Sequence, residues 1–146
     1  YDKKFFDVLT AYSFEKTNLK VEEHFLPWMH VSGVLDSFAR HPRNIQLVLL
    51  DEAIMNYDNS EALLDFCDAI LFFSGLLPEA FRKRIVSVGY YQRLARQGFR
   101  TLHARTTRES YFNMMSNHFD RYSGALTFMR NNLLPDSFAK EEWLIQ

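Results

Sequence analysis

Apolar side chains recur along this chain at intervals of three and four, with little of the strict alternation that marks strands, and that spacing predicts helices with one face turned inward. Phe5, Leu9 and Tyr12 predict a first helix over residues 3–16, interrupted at Thr17 and Asn18. A second is expected from about Leu26 to Arg40, because Pro27 is tolerated in a first helical turn, where its missing N–H leaves no bond unmade. Met29, Leu35 and Phe38 would point inward from it, and Leu19 to Phe25 would run extended before it. Pro42 opens a further helix in which Ile45, Leu49 and Ala53 repeat every fourth residue, closed by the loop NYDNS at residues 56–60. Ser60 is the expected N-cap of the next helix, with Glu61 at its positive end.

The segment EALLDFCDAILFFSGLL is apolar on nearly every face once Asp65 and Asp68 are set aside. A helix of that kind belongs at the centre of a bundle, contacted from several sides. Pro78 begins a short helix ending at Arg84 or Val86, Ser87 precedes a long one over Val88 to Ala104, and Thr106 or Thr107 caps another that continues to Asn131. In that last helix Tyr111, Met115, His118, Tyr122, Ala125 or Leu126, Met129 and Leu133 form one continuous stripe. Pro135 breaks it, and PDSFAKEEWLIQ supplies a closing helix anchored by Phe138 and Trp143. Gly98 shares the inward side of its helix with Tyr91, Leu94, Ala95 and Leu102 and would permit close helix packing. The expected fold is all-α: a compact orthogonal or irregular bundle of six or seven helices around a central apolar one, forming a single domain over residues 1–146.

Size and composition agree with that picture. A chain of 146 residues, 47% hydrophobic, can close one substantial core but hardly two. Its 14 Phe, 7 Tyr and 2 Trp favour a ring-filled interior, with aromatic surface left over for a partner. The single cysteine, Cys67, excludes an internal disulfide framework and a cysteine-rich zinc module, and fits a reducing, cytoplasmic setting. No stretch is long and apolar enough for a membrane helix or signal peptide, while Tyr1 in place of Met leaves room for a longer parent chain.

Candidate chemistry is sparse. None of His24, His30, His41, His103 and His118 has a His, Cys, Asp or Glu three or four positions away, the spacing by which one helix commonly presents two metal ligands. Glu22, Glu23 and His24 cluster locally, but adjacent helical residues diverge, so no metal or cofactor is expected. Phosphate-binding glycine motifs and a GxSxG elbow are absent, and the five glycines are isolated. Asp65 and Asp68, three apart, share a side of their helix and can hold a proton or a metal; a solvent-facing acidic edge is the simpler reading. Asp51 and Glu52 end an apolar stripe where they could meet arginines. Cys67 reads as a small core hydrophobe. His118 lies within the apolar stripe, where a satisfied core histidine is the ordinary outcome.

Charge changes the picture most. Residues 1–76 carry a formal −6 and residues 77–146 a formal +5, and Ala80 to Arg108 holds eight Lys or Arg and no acid. Arg93, Arg96 and Arg100 follow i, i+3, i+7 spacing on the outer side of their helix, with Tyr90 nearby. Guanidinium groups in a row suit carboxylates or phosphates. The sequence therefore leads to a non-enzymatic adaptor, assembly or regulatory protein that binds a protein partner, or itself, through Arg93, Arg96, Arg100 and Tyr90. An alternative is an enzyme or sensor that binds a small apolar molecule between helices, near His118, Met115, Tyr122 and Phe72. Nucleic-acid binding ranks lower, because the net charge is only −1.

Overall fold

The computed structural model describes residues 3–43, 58–82, 86–106 and 110–135. Within them the protein is all-helical, with no strand: α1 (Lys3–Lys16), α2 (Phe25–Arg40), α3 (Ser60–Leu76), a 3-10 helix (Pro78–Phe81), α4 (Val88–Arg105), α5 (Phe112–Asn117) and α6 (Phe119–Asn132). The helices expected after Pro42 and after Pro135, with Asp51, Glu52, Phe138 and Trp143, lie outside the described residues.

The first connection is set by one backbone conformation. Asn18 adopts a positive φ of 65°, which a short polar side chain tolerates. The Leu19 and Asn18 N–H groups then donate back to the carbonyls of Phe14, at 2.8 Å, and Glu15, at 3.2 Å. These bonds close the end of α1 as a Schellman motif and carry Leu19 into the core beside Phe14. Residues 21–24 form a turn rather than the expected extended segment, since the N–H groups of Glu23 and His24 return to the Lys20 carbonyl. α2 begins at Phe25 with Pro27 in its first turn, as its ring requires. Leu35 and Phe38 point inward, but Met29 is 42% exposed, because Val31, Val34 and Leu35 take the buried side of that helix.

α3 is the central helix. It packs against α2, α4, α6 and the 3-10 helix, which explains why its apolar residues wrap around the axis. Its N-cap is Asn59, not Ser60: the Asn59 side-chain oxygen accepts from the Ala62 N–H at 3.0 Å, and Ser60 is the first helical residue. Two glycines set the closest crossings. A Cβ at Gly75 would lie 2.7 Å from Leu126 Cβ of α6, and one at Gly98 of α4 would run into Cys67 Sγ and Leu63 of α3. The expected role of Gly98 is therefore seen. Cys67 is fully buried, its thiol donating to the Ala95 carbonyl at 3.4 Å, and burial with the nearby Asp68 charge pushes its pKa up.

The stripe expected to make one helix is divided. Thr106 ends α4 rather than starting its successor, and α5 and α6 meet at His118, whose φ of −113° and ψ of 20° leave the helical range. The break follows from what each part covers: α5 packs on α4, and α6 on α1 and α3, directions that one straight rod does not serve. Stacked rings fill the interior, Phe38 on Phe72 at 4.1 Å and Phe14 on Tyr122 at 5.5 Å. Arg130 of α6 ties down the end of α3, donating to the Leu76 carbonyl at 2.7 Å and to Glu79 at 2.6 Å.

Candidate functional site

Helical spacing places Arg93 and Arg100 on the exposed outer side of α4, where neither has an ion-pair partner among the described residues. Arg96 is held: it donates to Asp120 of α6 at 2.7 Å, with Asp120 73% exposed, so this pair contributes little to stability. Tyr90 does not stand out from the row as a stacking platform. It is partly buried, packs on the core and meets the Tyr91 ring edge-on at 5.4 Å. Lys83, Arg84 and Arg108 lie outside the described residues.

Exposed apolar groups gather elsewhere. Phe5, Val8 and Tyr12 on α1, and Phe25, Leu26 and Met29 on the first turns of α2, are between 39% and 63% exposed, and only Val86 joins them among the described large hydrophobics. The α1 members again follow i, i+3, i+7 spacing and so form one stripe. α1 and α2 pack on each other, and the Trp28 indole of α2 fixes the pair by donating to the Asp7 carbonyl of α1 at 3.0 Å. Of Phe5, Leu9 and Tyr12, whose spacing predicts α1, only Leu9 packs against the core. The inner side of α1 is instead Phe6, Thr10, Ser13 and Phe14, in which two hydroxyls hide the face from an apolar count.

Of the residues proposed around His118, Tyr122 lies beside it, with ring centroids 6.1 Å apart, whereas Phe72 packs among other rings. Met115, Tyr122 and Phe72 are buried; Phe72 has Phe38 and Phe73 as its ring neighbours, whereas His118 sits edge-on to His24 at 5.2 Å and near Tyr122. His24 Nδ1 lies 2.8 Å from the Tyr122 hydroxyl. Burial lowers the His24 pKa, the charges of His118 and Arg121 lower it further, and Glu23 opposes them. Burial likewise pushes the Tyr122 pKa up. This is a satisfied pair of core histidine and tyrosine.

A polar cluster with no local signature in the order of residues lies between α2 and α3. His30 Nε2 is 2.7 Å from Asp68 Oδ1, and His30 Nδ1 is 2.8 Å from the Tyr111 hydroxyl. An imidazole protonated on Nε2 donates to the carboxylate and accepts from the phenol at Nδ1, which satisfies all three groups. Burial raises the Asp68 pKa; the charge and hydrogen bond of His30 oppose this, Asp65 adds to it and Arg43 opposes it. The Tyr111 pKa is raised by burial and by the Asp68 charge. Alongside is a pocket of 290 Å³ lined by Met29, His30, Gly33, Val34, Ser37, Phe38, Arg43, Asp65 and Asp68. Asp65 and Asp68 do share a side of their helix, and that side opens on this pocket. Their spacing was the only legible signal, because His30 and Tyr111 lie 38 residues before and 43 after Asp68 in the chain.

Among the described residues no group of three or more His, Cys, Asp or Glu side chains is placed to hold a metal, and no helix is long and apolar enough to cross a membrane. Compared with protein-family models, curated proteins and solved structures, the chain matches none.

Proposed function

We propose that this chain is a non-enzymatic helical adaptor or assembly module that docks a protein partner through the outer face of the α1–α2 pair. One observation carries the reading: six of the seven exposed large apolar side chains among the described residues lie on α1 and the start of α2. Scattered exposed apolar residues need no explanation, but their concentration on two helices that pack on each other suits an interaction surface. Phe5, Tyr12 and Phe25 supply rings of the kind that dominate binding energy. The partner that fits is an amphipathic helix, laying its own apolar stripe along Phe5, Val8 and Tyr12. Arg93 and Arg100, exposed on α4, attract acidic groups of the partner and steer its approach. They take the role that the sequence assigned to the whole arginine row with Tyr90.

The test compares two variants of the purified chain. A protein that copurifies with the wild type is prepared separately and its affinity measured by calorimetry. Replacing Phe5, Val8 and Tyr12 together by serine is expected to weaken binding at least about a hundredfold, while circular dichroism stays unchanged. Replacing Arg93 and Arg100 by alanine should cost roughly tenfold or less. The reading fails if the serine variant binds as well as the wild type.

A further inference from the structure

The pocket between α2 and α3 carries both signs of charge on an apolar wall. Asp65 is exposed and has no ion-pair partner among the described residues, and Asp68 is anchored from behind by His30. The positive group is Arg43, whose guanidinium lies 4.3 Å from the centre of the Phe38 ring and donates to Ser37 Oγ at 3.0 Å. Those two contacts fix its direction and, among the described residues, use one of its five N–H donors. Val34 and Phe38 form the apolar wall, with Met29 also lining the pocket. The opening is built into α2 itself: a Cβ at Gly33 would meet nothing within 4 Å, so the missing side chain leaves space that no neighbour fills.

The charged groups sit at different levels. Asp68 is bound at His30 and Arg43 at Ser37, and seven residues of helix span about 10 Å along the axis. Side chains reaching in from both levels shorten that gap without closing it. We infer that this pocket binds a small zwitterion in which a primary ammonium and a carboxylate are separated by a short alkyl chain, the ammonium between Asp65 and Asp68, the carboxylate on Arg43 and the methylenes along Val34 and Phe38. A carboxylate alone would face two acidic groups, and an amine alone would leave Arg43 unmatched. Each end therefore discriminates by leaving a charged group without its partner when the ligand lacks the matching group.

The probe is ε-aminocaproate, set against hexylamine and caproate, which keep the chain length and lack one charge each. Isothermal calorimetry on the full chain is expected to give a Kd of about 1 mM or tighter for the zwitterion, with both controls at least about tenfold weaker. Asp65→Asn and Arg43→Ala should each weaken the zwitterion by roughly tenfold, the first abolishing its advantage over caproate and the second its advantage over hexylamine. Gly33→Leu fills the opening and should remove binding while leaving circular dichroism unchanged and the thermal midpoint no lower than that of the wild type. Equal binding of either control, no binding of the zwitterion at millimolar concentration, or full affinity in Gly33→Leu would each overturn the assignment. The docking test changes Phe5, Val8 and Tyr12 of α1, none of which lines the pocket, so the two readings fail separately.

Discussion

Two glycines with the same side chain are expected to respond in opposite directions to one added methyl group. Ala at Gly33 relieves the entropic cost of glycine in a helix and meets open space, so Gly33→Ala should stabilise by about 0.5–1 kcal/mol. Ala at Gly98 meets Cys67 and Leu63 across the α3–α4 crossing, so Gly98→Ala should destabilise by about 1–3 kcal/mol despite the same propensity gain. Urea denaturation of both variants checks the pair, and two shifts of the same sign would contradict the packing described. His24 makes a second residue-scale prediction. Its folded pKa lies below the ordinary imidazole value, so between the two the unfolded chain takes up a proton that the folded chain refuses. Stability contributed by neutral His24 is thus present above about pH 6.5 and is lost as pH falls from there through the folded value. The urea midpoint of the wild type should drop over that interval, and His24→Gln should flatten the drop. An equally steep drop in the variant would assign the effect to another group. The apolar stripe singles out His118 among the histidines, and for His24 the sequence offers only the neighbouring Glu22 and Glu23. What buries His24 is Tyr122, 98 residues away.

At the scale of elements, periodicity located helices well and their ends less well. α1 has the expected bounds, and α2 and α4 each differ by one residue; Pro27 and Asn18 act there through local backbone sterics. The start of α3 shows how a cap is decided. Asn59 and Ser60 both carry an oxygen able to accept an exposed N–H, and only the chain's entry into the helix selects between them. Asn59→Ala is therefore expected to cost about 1 kcal/mol and Ser60→Ala under about 0.5 kcal/mol, measured by chemical denaturation. The reverse order would restore Ser60 as the cap. The division of α5 from α6 at His118 had no local signal, since the stripe from Tyr111 to Leu133 keeps its spacing through the break. Spacing reports that a face is covered and says nothing about which neighbour covers it.

For the whole molecule, the separation of charge into an acidic first half and a basic second half is not closed by any ion pair between the halves among the described residues. Arg96 meets Asp120 and Arg130 meets Glu79, and both of those pairs lie within the second half. Arg93 and Arg100 stay open to approaching charge. Replacing both by Glu should slow association with an acidic partner by about tenfold at low salt, with a smaller change in dissociation rate, and the difference should shrink as ionic strength rises. Stopped-flow or surface-plasmon measurements at two salt concentrations read this directly. A change confined to the dissociation rate would place these arginines inside the interface rather than beside it.

The order of residues alone determines several relations between neighbours three or four positions apart: the all-helical fold, the placement of α3 at its centre, the close packing at Gly98 and the outward direction of Arg93 and Arg100. A helix fixes the relative direction of side chains a turn apart, so those relations are present in the order of residues. The tertiary structure alone decided the pairing of His30 with Asp68 and Tyr111, the seating of His24 on Tyr122, the break at His118 and the exposure of Phe5, Val8 and Tyr12. Each depends on how one helix meets another, and helices of the same pattern can meet through several registers and angles. Packing of whole faces selects among these, and no short stretch of residues encodes it.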